Sequence, residues 1–275
     1  MADLVRPQTL ITMLHFFFRK RSPRKTARCC MVTALSDDFV EYFLVLMHSI
    51  RKHNRWFKHD VIILHGTTLS PLSKKNMERI RKAYAKVSFV AVDEAPYERF
   101  HADTPKRLWP ALLKLAIFRI RGYDRIVFID SDILCLGDIS YLFTLDVPFA
   151  ACPAGKDLER KRRVAGKVRW KVGINSGVMV IGKKYLNEAT HEKLLRYRSG
   201  PCADQDVLTR FLRWRRVYCL PHEYNYHAEF FWHDTNRTND DVRLLHYAGV
   251  KPLENPKLPR MKMWFEERNA MKKSS

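Results

Sequence analysis

Between residues 28 and 129, short continuous apolar runs alternate with longer helical segments, and this alternation restricts the fold more than any other feature of the chain. The runs RCCMVTAL (28–35), DVIILH (60–65), VSFVAV (87–92) and RIVFI (125–129) read as strands buried on both faces. Between them, FVEYFLVLMHSIRKHN (39–54), SPLSKKNMERIRKAYAKV (70–87) and PALLKLAIFRI (110–120) read as helices. The second of these has Ser70 as its expected N-cap and Pro71 at the first helical position. Alternating strands and helices predict an α/β fold, with a mostly parallel central sheet flanked by helices. Ligands of such sheets bind outside the carboxyl ends of the strands. The second half is less regular. Strands are expected at 149–154, 177–182, 216–221 and 242–249, and helices at 188–198 and 204–214.

The net charge is +21, from 50 Lys and Arg against 29 Asp and Glu, which favours anionic partners. No nucleic-acid module accompanies it, so no specific nucleic acid is expected. The six cysteines form no CxxC pair or zinc spacing, and a reducing, cytoplasmic setting is expected from them. LITMLHFFF (10–18) is too short to span a bilayer, which needs about 20 apolar residues. It reads as a packing helix followed by a basic linker, with peripheral contact at a membrane surface as the alternative. The expected organisation is an apolar and basic extension (1–28), one domain (29–265) and a tail (266–275). Homodimerisation is open. Asn236 begins a lone NRT sequon. The basic runs 156–171 and 210–216 read as solvated faces; the first is also a candidate lid or contact for an anionic acceptor.

IVFIDSDIL (126–134) ends a strand with Asp130 and Asp132 one residue apart. On an extended chain both project to one side, where they repel unless a cation sits between them. The plain alternative is two exposed aspartates opening a loop. RIVFIDSDILCLGDISYLF (125–143) resembles the DxD region of glycosyltransferase family 8, which includes glycogenin and bacterial lipopolysaccharide galactosyltransferases; Ile139, Leu142 and Phe143 complete the pattern. VTALSDDFVEYFLVLMHSI (32–50) resembles the family's opening strand, uridine loop and first helix, LLKLAIF its lysine segment, INSGVMVIG (174–182) its Asn-x-Gly strand, ADQDVL (203–208) its DQD helix start, and LHYAGVKPL (245–253) its late His-x-x-Gly and Lys-Pro segment. Leu253 stands where the family usually has Trp.

The resemblance covers roughly 29–255 and implies a GT-A (Rossmann-like) nucleotide-diphospho-sugar transferase fold. It implies a retaining, metal-dependent transfer of a hexose or pentose from a UDP-sugar to a glycan, protein or lipid-linked acceptor. Asp130, Asp132 and His246 would hold Mn2+, with Mg2+ as the alternative. Thr33, Ala34, Ser36, Asp38 and the Ser131 backbone would face the nucleoside; Lys114, Asn175, Ser176 and Gly177 the sugar or phosphates; Gly249 and Lys251 the diphosphate. Asp204 and Gln205 would sit beside the anomeric carbon, whereas a plain reading makes Asp204 a helix cap. Tyr224 and Tyr226 are candidates for self-glycosylation. The rival readings are a catalytically silent sugar-nucleotide binder, a basic nucleic-acid or surface-binding protein, and a nucleotidyltransferase.

Overall fold

The structure is a computed structural model that describes residues 27–155, 157–231 and 241–274. The apolar N-terminal run and the sequon at Asn236 lie outside the described residues. Among the described residues the strands are β1 (Cys29–Ala34), β2 (Asp60–Gly66), β3 (Val87–Val92), β4 (Arg125–Ile129), β5 (Ile133–Cys135), β6 (Phe149–Pro153), β7 (Val168–Arg169), β8 (Ile174–Gly182), β9 (Val217–Cys219), β10 (Tyr226–His227) and β11 (Leu244–His246). The helices are α1 (Val40–His53), α2 (Lys74–Ala83), α3 (Ser140–Thr144), α4 (Leu158–Val164), α5 (Glu188–Leu195), α6 (Asp204–Leu212), α7 (Ala228–Phe231) and α8 (Lys262–Lys273).

Eight strands form a mainly parallel sheet in the order β3-β2-β1-β4-β8-β6-β9-β7, as the strand–helix alternation predicts. The continuous apolar runs are explained by burial on both faces. Cys30, Val32, Ile126 and Phe128 enter one core layer, while Met31, Val127 and Ile129 enter the other. The parallel pairing of β1 with β4 puts their carboxyl ends side by side. β8 runs antiparallel to β4, so it is the start of β8 that reaches the same edge. A second sheet, β10-β11-β5, stands beside this edge.

Several expected boundaries change. α2 begins at Lys74 behind Ser73, whose hydroxyl accepts from the Asn76 N–H, so Ser73 rather than Ser70 is the cap. The choice is made by a distant residue: Asp37 Oδ1 accepts from the Ser73 N–H and from Asn76 Nδ2, both at 2.8 Å. Residues Lys106–Arg119 form a 3-10 helical segment where an α-helix is expected. α8 runs across residue 265, with Trp264 fully buried and Glu267 bonded to His48 and Lys52 at 2.7 Å. The packed part of the chain therefore continues past the boundary expected there. All six cysteines are free thiols, five of them buried. Among the described residues no helix is long and apolar enough to cross a membrane.

Candidate active site

The chain leaves β4 at Ile129, turns through Ser131 and Asp132, and enters β5 of the second sheet. The two aspartates thus converge through a turn and not along an extended strand as expected. The Asp130 N–H donates to the Gly177 carbonyl at 2.9 Å, which ties it to β8. Asp132 immediately precedes β5, and the antiparallel register of β5 with β11 pairs Ile133 with His246. The Tyr247 N–H extends this ladder by donating to the Asp132 carbonyl. Sheet register thereby brings His246 to the two carboxylates. Its Nε2 lies 3.3 Å from Asp132 Oδ1 and 3.8 Å from Asp130 Oδ2.

One ligand atom from each of Asp130, Asp132 and His246 lies within 4.8 Å of the others. The set suits a hard divalent cation that also accepts imidazole. Burial alone would push the Asp132 carboxyl up, but His246 and Lys251 hold it well below the usual carboxylate range. Lys251 forms an ion pair with Asp132 Oδ2 and donates to the Tyr247 carbonyl. Oδ1 is the oxygen that faces His246.

A chain of amides fixes the imidazole. The Gly177 N–H can only donate, and it lies 2.9 Å from Asn175 Oδ1. That oxygen also accepts from Asn225 Nδ2 at 2.6 Å. Asn225 Oδ1 must then face His246 Nδ1, at 2.7 Å, as the acceptor of its proton. In the neutral imidazole this leaves Nε2 as the lone-pair nitrogen turned to the carboxylates, the arrangement that orients metal-ligating histidines. At the other end, Asn175 Nδ2 donates to His227 Nε2 at 3.2 Å. Asn175, expected at the sugar, has its oxygen committed to this network. Gly177 has a clear steric role: a Cβ there would lie 2.5 Å from His246 Cε1.

On the other side of Asp130 is a buried cation between two acids. Lys114 Nζ donates to Asp130 Oδ2 at 2.9 Å and lies 3.9 Å from Asp204 Oδ2. Burial opposes its charge, but Asp130 and Asp204 hold it as an ammonium. The lysine does not snorkel to solvent; it cross-links the site. Asp204 opens α6 behind Ala203, whose φ of 49° lies in the left-handed region that a non-glycine residue rarely occupies. Asp204 is buried near the Ser176 hydroxyl and has no hydrogen-bond partner on Oδ2. Burial pushes its carboxyl up to about 6 despite the opposing charge of Lys114.

This carries a stability prediction. A carboxyl that titrates higher in the folded than in the unfolded chain lowers stability as pH rises from about 4 to about 6, on the order of 2–3 kcal/mol for Asp204. Asp204→Asn is expected to melt roughly 5 °C above the wild type at pH 7.5, with the gain shrinking below about pH 5, in thermal unfolding followed across pH. Equal melting at both pH values would show that the carboxylate is not strained.

The remaining expected residues divide. Ala34 and Ser36 are half-buried at the end of β1, and Asp38 is exposed, while Thr33 is fully buried with its hydroxyl unpartnered. Ser131 and Ser176 are buried within the site, and Gln205 is half-buried next to Asp204. Gly249 has φ +83° and open space where a side chain would stand, which leaves its backbone accessible. Exposed Leu253 donates its N–H to the Tyr42 hydroxyl. Tyr226 is buried in the core, so it is not available for modification, whereas Tyr224 is half-buried. Asn225 and His227 escape a sequence reading, because an amide in HEYNYH has no charge or period to mark it.

The family model described as Glycosyl transferase family 8 matches residues 30–254. A putative UDP-glucuronate:xylan alpha-glucuronosyltransferase 5 of Arabidopsis thaliana is 27% identical over 240 residues, covering 82% of this chain and 36% of that protein. Glycogenin-1 of Caenorhabditis elegans is 26% identical over 232 residues, covering 80% of this chain and 49% of that protein. The chain thus spans less than half the length of either relative. The solved galactosyltransferase LgtC, in complex with donor and acceptor sugar analogs, superposes with a TM-score of 0.64 at 17% identity, over 87% of this chain and 95% of that one. That likeness shows the fold, which is GT-A.

Proposed function

The chain belongs to glycosyltransferase family 8, and from that premise we propose that it moves a sugar from a UDP-sugar donor to a glycan, protein or lipid-linked acceptor, with a divalent cation and with retention of anomeric configuration. The observation that carries this reading is the convergence of Asp130, Asp132 and His246 with Lys114, Lys251 and Asp204 at the carboxyl edge of the sheet. As the bond from the anomeric carbon to the diphosphate oxygen breaks, the leaving diphosphate gains negative charge. Asp130, Asp132 and His246 would hold a divalent cation, Mn2+ above all, which would supply Lewis-acid stabilisation of that charge. Lys251 adds fixed positive charge at the same place, and the open backbone at Gly249 offers an N–H. Lys114 holds Asp130 in place and balances Asp204.

Asp204 titrates at about 6, and its Oδ2 makes no hydrogen bond, lying 3.9 Å from Lys114 Nζ. It serves as nucleophile or as stabiliser of an oxocarbenium-like centre, with Gln205 beside it. Ala203, strained just before it, aims the carboxylate. Because the leaving group is a diphosphate, no general acid is required.

The test is UDP release by the purified protein from a panel of UDP-sugars. The name of one relative specifies UDP-glucuronate, which belongs in the panel with UDP-glucose, UDP-galactose and UDP-xylose. At least one donor is expected to be hydrolysed slowly, with turnover lost in chelator and restored by Mn2+. If no donor turns over or binds by calorimetry with Mn2+ present, the proposal fails.

A further inference from the structure

The molecule also carries an exposed surface for which the packing and the ligand set above give no use. Trp170 and Trp214 are 58% and 62% exposed, among the most exposed of the large apolar side chains. Their backbones are neighbours. β7 pairs with β9, the Lys171 N–H donates to the Arg213 carbonyl, and Lys171 Nζ lies 4.6 Å from the centre of the Trp214 ring. The Arg213 guanidinium lies 5.2 Å from the same ring. Residues 166–171 are exposed throughout, and Lys167 and Arg169 extend the positive charge along them.

Lys and Arg on a short edge strand have a plain use, since charge there resists pairing with another sheet. That accounts for Lys167 and Arg169 but not for two exposed indoles, which work against it. Lys171 and Arg213 already occupy the Trp214 ring, so stacking of a sugar or a base on that ring is disfavoured. Indoles at a surface flanked by cations match a bilayer interface, where Trp settles at headgroup level and Lys or Arg meets anionic phosphates. Each cation near an anionic leaflet strengthens binding about fivefold. The net charge of +21 adds long-range attraction.

We propose that the face formed by Trp170, Trp214, Lys167, Arg169, Lys171 and Arg213 docks the protein on an anionic lipid surface. The full chain is expected to co-sediment with phosphatidylcholine vesicles that contain phosphatidylserine, and not with phosphatidylcholine alone, with binding that weakens as salt rises. The variant Trp170→Ala/Trp214→Ala is expected to bind these vesicles at least about tenfold more weakly, with its melting temperature unchanged. Brominated lipids are expected to quench part of the wild-type tryptophan emission, and that part should be absent from the variant. The quenching readout separates this face from any contribution of the basic N-terminal sequence. Indifference to lipid charge, or equal binding and quenching in the variant, would overturn the assignment. Capture of heparin with no vesicle binding would do the same and mark a contact for acidic glycans. None of these readouts involves turnover, so their failure and the failure of sugar transfer are separate results.

Discussion

Replacing Asp132 with asparagine is expected to lower kcat/KM for UDP release by at least about 10³ while the protein stays folded. The substitution keeps the volume and removes the charge. Asp132 is the most enclosed member of the carboxylate pair, at 5% exposure, and one oxygen faces His246 while the other meets Lys251. Without its charge Asp130 is left as the one carboxylate of the proposed ligand set and the Lys251 ammonium loses its counter-ion, which disfavours a cation. The backbone contacts of the residue, including its carbonyl to the Tyr247 N–H, do not depend on the side chain. Far-ultraviolet circular dichroism should be unchanged, and Mn2+ binding followed by electron paramagnetic resonance should be lost. Turnover within about tenfold of the wild type, one decade being about 1.4 kcal/mol, would show that this carboxylate does not bear the charge of the leaving group.

The second large effect is expected at a residue with no functional group. In Gly177→Ala the added methyl would lie 2.5 Å from His246 Cε1, 2.7 Å from Nδ1 and 3.1 Å from Asn175 Oδ1. The strand cannot yield easily, because β8 is central in the sheet and the Gly177 carbonyl accepts from Asp130. The imidazole must move, which breaks its bond to Asn225. Overpacking of this kind costs about 1–3 kcal/mol, so a fall of several degrees in melting temperature is expected. Mn2+ affinity is expected to fall about 100-fold, at the upper end for loss of a partner that orients a ligand. Asn225→Ala, which deletes the orienting oxygen without a clash, is expected to weaken Mn2+ by about 10-fold and to leave packing nearly intact. If Gly177→Ala binds Mn2+ as the wild type does, His246 is not a ligand.

Most of the scaffold was legible because strands buried on both faces write themselves as unbroken apolar runs. β1, β2, β3 and β4 all appear that way. The helix starts were less legible. Ser70 and Ser73 are both serines before α2, and only Asp37, from a distant loop, selects the second. The aspartates announced themselves by residue type, but the turn that joins them did not, since it depends on β5 leaving for another sheet. His246 was identified by resemblance, and its neighbourhood follows from the pairing of β11 with β5. Asn225 was illegible for the same reason: its nearness to His246 is made by β10 lying parallel to β11, and local sequence does not encode that. Lys114 was seen as a contact for the donor, whereas its ammonium is held between two of the protein's own acids.

The three residues between β4 and β5 have one further consequence. Asp130 is moored to the large sheet through Gly177, and Asp132 to the small sheet through Tyr247. Whatever bridges the two carboxylates also clasps the sheets together. Occupancy of the site and rigidity of the joint are then one equilibrium, seen from two sides. A substitution that loosens the small sheet, far from any sugar, would register as weaker binding at the clasp, and a saturated clasp would slow hydrogen exchange along β11.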